Sequence, residues 1–180
     1  MEGVACLLID LQDCFLKVVP ARDALEKRIS FVAEACNLLG IKVYLSEQVP
    51  EKLGTTVAAI KDLVPEAMVF PKRSFSLWQD EAFRNQLKQD GITHLLVGGI
   101  ETPICVYQTV VQAKNDDMHI TLLSDCVGGR REDDGEAILR TLNSHGTLCL
   151  PSESIFYSIL GDVDHPQFKA FTKLVKRYGD

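Results

Sequence analysis

Leu95-Leu96-Val97, followed by Gly98-Gly99-Ile100-Glu101-Thr102-Pro103-Ile104-Cys105-Val106, is the stretch on which the fold turns. The apolar triplet reads as a buried strand. Beyond it, Val106-Tyr107-Gln108-Thr109-Val110-Val111-Gln112-Ala113 reads as a helix. Between the two, the paired glycines let the backbone bend sharply. Cys105 therefore falls in a strand-to-helix turn, at the first turn of a helix. There the positive end of the helix dipole favours the thiolate, which is the nucleophilic form. The same position also suits a small buried hydrophobe, the common role of a free cysteine.

Working outward, the same alternation recurs. Val4-Ala5-Cys6-Leu7-Leu8-Ile9 is a continuous apolar run closing on Asp10, the pattern of a central strand covered on both faces. Residues 21–39 carry helical periodicity and stop at Gly40, and Ile41 to Leu45 is a second strand. Residues 46–56 read as a loop, Val57 to Leu63 as a short helix, and Met68-Val69-Phe70 as a third strand stopped by Pro71-Lys72. A helix over 79–89 precedes strand four, His94 to Val97. Strand five is His119 to Leu123, a helix covers 132–144, strand six is Thr147 to Leu150, and helices near 152–160 and 165–177 end the chain. Strands alternating with helices imply an α/β fold, a parallel sheet with helices on both faces and right-handed crossovers. No repeat or linker interrupts the 180 residues, so a single domain over 1–180 is expected.

Composition narrows the function. Apolar residues make up 46% of the chain, enough for a full core, and the net charge is -6 with Lys and Arg dispersed, which argues against a nucleic-acid partner. The N-terminal stretch lacks a basic region before its apolar run, and that run is too short to span a membrane. Six cysteines are scattered without CxxC pairs, which fits a reduced, cytoplasmic protein better than a disulfide scaffold or a zinc site.

In open parallel sheets, sites form at the carboxyl ends of the strands. Asp10, Ser46-Glu47-Gln48, Lys72 and Cys105 all follow strands. If strands one and four are neighbours, Asp10 can reach Cys105 with Lys72 nearby. An aspartate beside a thiol can take its proton, and an ammonium can hold the aspartate and support the thiolate by charge. The plainer alternative is a strand-end turn aspartate and a surface lysine.

Three spaced motifs decide between these. Asp10 in Leu8-Ile9-Asp10-Leu11-Gln12, Lys72 in Pro71-Lys72-Arg73-Ser74-Phe75-Ser76, and Cys105 in Gly99-Ile100-Glu101-Thr102-Pro103-Ile104-Cys105-Val106 resemble the isochorismatase-like cysteine hydrolases over nearly the whole chain. Ser46-Glu47-Gln48 with Leu53-Gly54-Thr55, and the tail Gly161 to Lys169, look like the isochorismatase domain-containing branch. The resemblance implies a Rossmann-like three-layer sandwich with strand order 3-2-1-4-5-6. It implies a triad with Cys105 as nucleophile, Asp10 as base and then acid, and Lys72 as the positioning charge. It also implies a cis Ile100–Glu101 peptide, with the backbone N–H groups of Glu101 and Cys105 forming an oxyanion hole. Pro103 departs from the Asp usual in the family. A proline near the first turn of a helix is tolerable, because that N–H would be unpaired anyway.

Phe15, Phe75 and Trp78 follow site motifs and, with Gln48, Ile100 and Thr102, are the expected pocket residues. The aromatics, Trp78 above all, equally suit helix packing. Tyr107 suits either the pocket or an interface, and Gly128-Gly129 reads as a turn. Some relatives, the nicotinamidases, hold zinc through an Asp-x-His pair after strand two. Here the matching positions are Ser46 and Gln48, and Glu47 alone cannot hold zinc against water, so neither metal nor other cofactor is expected. Gln48 is instead expected to hydrogen-bond substrate. The family is commonly oligomeric, and the apolar stretch Ile155 to Leu160 offers a surface for a dimer, tetramer or larger ring. The expected activity is hydrolysis of a small amide or related carbonyl compound through a Cys105 thioester. The alternatives are a thiol sensor or scaffold on the same fold, and a vinyl-ether hydrolase of the isochorismate type.

Overall fold

Strand β1 (Val4–Ile9) lies at the centre of a parallel sheet, and its alternation shows how the layers are built. Cys6 and Leu8 face one hydrophobic cluster; Ala5, Leu7 and Ile9 face a second on the opposite side. This computed structural model describes residues 2–179. In chain order the elements are β1, α1 (Asp13–Leu16), α2 (Arg22–Leu39), β2 (Lys42–Gln48), α3 (Pro50–Leu53), α4 (Ala58–Lys61), β3 (Met68–Lys72), α5 (Glu81–Gln89) and β4 (His94–Ile100). A π-helical turn (Thr102–Val106) leads into α6 (Tyr107–Asn115), then β5 (His119–Gly128), α7 (Glu132–Ser144), β6 (Leu148–Leu150), α8 (Ser152–Leu160) and α9 (Phe168–Tyr178). The strands pair in the order β3-β2-β1-β4-β5-β6, all parallel. This is the expected Rossmann-like α/β sandwich.

One face is covered by α2, α8 and α9. Phe31 of α2 meets Phe156 of α8 edge-on at 5.8 Å and Phe171 of α9 at 5.7 Å, all three rings fully buried. Burying each such ring contributes roughly 1.5–3 kcal/mol. The other face carries α5, α6 and α7 through Phe83, Leu87, Val110, Ala113 and Leu142. Asp80 caps α5 by accepting from the Phe83 N–H at 3.0 Å.

Several boundaries move, and the movement builds the site. β2 runs on to Gln48, β3 to Lys72, β4 to Ile100 and β5 to Gly128. The apolar runs stop earlier because the strand ends carry polar or glycine residues that still pair: Ile9 sits opposite Ser46 and Gly99, and Gln48 sits opposite Lys72. Gly99 is required where it stands. Its φ is +118°, and a Cβ there would lie 2.2 Å from the carbonyl oxygen of Ile9.

One expectation is corrected. Ile155, Phe156 and Leu160 pack inward against the chain's own core, while Tyr157 and Ser158 are exposed. An amphipathic helix hides its apolar stripe on its own sheet, so most of the apolar stretch of α8 is used in the chain's own core and Tyr157 is what it leaves exposed. Among the described residues no helix is long and apolar enough to cross a membrane.

Candidate active site

Asp10 follows the last residue of β1 in a left-handed conformation, φ +52°, uncommon for a residue with a side chain. Its N–H donates to the Ser46 carbonyl at 3.0 Å. Its carboxylate is fully enclosed: Oδ1 accepts from Ser46 Oγ at 2.7 Å and Oδ2 from Lys72 Nζ at 2.7 Å. Lys72, at the end of β3, is buried with it, the two side chains each 1% exposed. Its ammonium also donates to Gln48 Oε1 at 2.6 Å and to the Ser74 carbonyl at 3.3 Å, and lies 3.6 Å from Cys105 Sγ. Pairing of this quality offsets the desolvation that two buried charges suffer.

Cys105 enters from the π-helical turn after β4, where Pro103 sits in the first turn and sacrifices no donor. The peptide between Ile100 and Glu101 is cis. The thiol does not behave as a helix-start cysteine: it is pushed up to about 12, first by burial and then by the Asp10 carboxylate, with Lys72 opposing. Burial and a neighbouring negative charge outweigh the backbone dipole of one irregular turn. The shift favours the protonated thiol, whose sulfur accepts from Lys72 Nζ at 3.6 Å.

A cavity of about 80 Å³ opens over this group. Asp10 and Cys105 form its floor, Phe15, Phe75, Ile100 and Ile104 its apolar walls, and Gln48 and Glu101 its polar rim. Phe75 stands at the mouth, 57% exposed. Trp78 is elsewhere: its ring packs on Phe83 and its Nε1 donates to Asp116 at 2.7 Å, because the 3-10 turn at Leu77–Gln79 points it into the core. Thr102 also turns away, donating to the Gly128 carbonyl at 3.1 Å on the far side of the turn. Tyr107 is half-buried against the α6 face of the core; Gly128, expected in a turn, is instead the last residue of β5, paired with Ile100, and the chain leaves the strand at Gly129.

Three features escaped the sequence. Ser46 completes the Asp10 cage. Gln12, fully buried, ties the ends of β1 and β2 together: its Oε1 accepts from the Gln48 N–H at 2.7 Å and its Nε2 donates to the Gln48 carbonyl at 3.0 Å. Glu101 sends its side chain sideways to Arg130, 3.1 Å away. Ser46, named among the strand-end residues after strand two, and Gln12, two residues past the strand-end Asp10, each offered a local hint of position but not of role. Positions 46–48 take part in this network: Ser46 on Asp10, Gln48 on Lys72, and Glu47 accepting from the Thr56 N–H at 2.8 Å.

The sequence profile of the isochorismatase domain matches residues 4–154, the segment carrying all of these groups. The chain belongs to the isochorismatase domain family. It is 32% identical to isochorismatase domain-containing protein 1 of Salmo salar over 143 residues, covering 79% of this chain and only 50% of that protein. The chain thus spans about half the length of that relative. To isochorismatase domain-containing protein 2 of Bos taurus it is 30% identical over 94% of its length and 81% of the relative. Among solved structures, the MAR1 ribonuclease of Caenorhabditis elegans superposes with a TM-score of 0.91 at 24% identity, covering 98% of this chain and 92% of that one. The Escherichia coli YcaC gene product, described as an octameric hydrolase of unknown specificity, gives 0.84 at 17% identity, covering 99% and 96%. At these identities the two structures establish the shared isochorismatase fold.

Proposed function

We propose that this isochorismatase-family protein is a hydrolase acting through Cys105 on a small amide or related carbonyl compound. The observation that carries the reading is the convergence of a buried Asp10–Lys72 pair on one cysteine sulfur at the floor of an apolar cavity. Asp10 takes the thiol proton as sulfur attacks the carbonyl carbon. The backbone N–H groups of Glu101 and Cys105 receive the oxyanion. Asp10 returns the proton to the departing amine, leaving a thioester, then deprotonates the water that hydrolyses it. The carboxylic acid leaves and the thiol is restored. Lys72, 2.7 Å from the carboxylate, holds Asp10 in place.

The raised thiol favours this reading over a thiol sensor, which needs a thiolate at rest. A ribonuclease reading meets a net charge of -6 and rim arginines already paired, Arg73 to Glu51 and Arg130 to Glu101. The reading takes 1–180 as one cytoplasmic domain that needs no metal. Self-association into a homo-oligomer is supported by the octameric fold relative. The test is a screen of small amides and ureides for ammonia release, with Cys105→Ala alongside. Cys105-dependent release is expected; release unaffected by the substitution would refute the mechanism.

A further inference from the structure

We infer that the cavity over Cys105 selects amides whose acyl group is short, apolar and uncharged, and discriminates against amides that carry a carboxylate. The inference rests on the hydrolase reading and deepens it. Size comes first. A cavity of about 80 Å³ is small beside the roughly 300–1,000 Å³ of sites that take drug-sized ligands, so it suits a compact acyl group. Its walls are the side chains of Phe15, Phe75, Ile100 and Ile104, which reward apolar surface and no other chemistry.

Charge decides the rest. Among the described residues lining the cavity, Asp10 and Glu101 carry carboxylates and none carries a basic side chain. The adjacent Lys72 has three N–H donors and already four acceptors for them: Asp10 at 2.7 Å, Gln48 at 2.6 Å, the Ser74 carbonyl at 3.3 Å and Cys105 Sγ at 3.6 Å. Arg73 pairs with Glu51 at 2.6 Å and Arg130 with Glu101 at 3.1 Å. A substrate carboxylate would therefore lose its water beside two fixed carboxylates and gain no cation. A substrate ammonium fares no better, since Glu101 is already matched by Arg130 and Asp10 by Lys72. A neutral group is still accommodated. Gln48 Nε2 donates one N–H to the Arg73 carbonyl at 2.9 Å, and a primary amide has a second to offer.

The experiment compares kcat/KM, read by ammonia release, for isovaleramide, malonamate and 3-aminopropanamide. Malonamate repeats the isovaleramide skeleton with a carboxylate in place of the isopropyl group. Isovaleramide is expected to exceed each charged amide by about 100-fold or more. Phe75→Arg, at an exposed position on the mouth, supplies the missing cation and should raise kcat/KM for malonamate about tenfold or more while lowering that for isovaleramide. Either charged amide matching isovaleramide, or Phe75→Arg leaving malonamate unimproved, overturns the inference; if Cys105→Ala still abolishes turnover, the hydrolase reading stands. No turnover of any of the three, or turnover that survives Cys105→Ala, overturns both.

Discussion

Replacing Lys72 by Met keeps the aliphatic stem and deletes the ammonium. The loss can be sized from the site. At 2.7 Å and an effective dielectric near 20, the gross attraction to Asp10 is on the order of 6 kcal/mol. Part of that is offset in the native protein by desolvation of two side chains that are each 1% exposed. Removing one partner leaves the other buried and uncompensated, which costs about 3–5 kcal/mol. Among the described side-chain donors, Asp10 would retain only the Ser46 hydroxyl. For a chain of this size, that corresponds to a fall in Tm of roughly 6–20 °C. Asp10→Asn alone should cost a similar amount by stranding the lysine. The double variant Asp10→Asn/Lys72→Met contains no buried charge, so it should be more stable than either single variant. Urea unfolding of all four proteins at neutral pH, with m-values compared, measures this coupling. Single variants within about 1 kcal/mol of wild type, or a double variant whose loss is the sum of both, would refute the buried-pair argument.

Asp10→Asn also tests the thiol. The Asp10 charge raises Cys105 while Lys72 lowers it, so removing the carboxylate lets the thiol titrate at lower pH. Iodoacetamide should then label Cys105 faster than in wild type at about pH 8, while turnover falls at least about 100-fold for want of a base; slower labelling would contradict the sign. The same shift affects stability. A thiol raised from an unfolded value near 9 to about 12 contributes stability that is fully present below pH 9 and lost as pH rises toward the folded value. Cys105→Ala should therefore lose less stability than wild type between pH 9 and 11, measured by urea titrations; an equal loss would count against the shift. Trp78→Phe removes the bond to Asp116 and should lower stability by about 0.5–1.5 kcal/mol with KM unchanged; a tenfold rise in KM would return Trp78 to the pocket.

The sheet and its central residues were legible because burial leaves a pattern. β1 and the start of β4 are covered on both faces and read as unbroken apolar runs. Asp10, Lys72 and Cys105 each punctuate such a run. What followed the runs was not legible. Ser46 to Gln48 and Gly98 to Ile100 remain in the sheet through backbone pairing, which apolar periodicity does not record. Side-chain direction was lost in the same places. Thr102 and Ile104 are two apart in an irregular turn and face opposite sides, and Trp78 is steered by a 3-10 turn. The Glu101–Arg130 contact joins the ends of β4 and β5 and needs the tertiary register. The apolar stretch of α8 looked like free surface because a sequence does not show that Phe31 and Phe171 await it. The thiol's resting state depends on burial, and the helix-start position pointed the other way.

Rapid acid quench of the wild-type protein during turnover of a neutral amide, followed by peptide mass spectrometry, addresses the covalent step itself. The peptide containing Cys105 should carry an increment equal to the acyl group, absent in Cys105→Ala, and appear no more slowly than product. Full turnover with Cys105 never acylated would contradict nucleophilic attack by this sulfur.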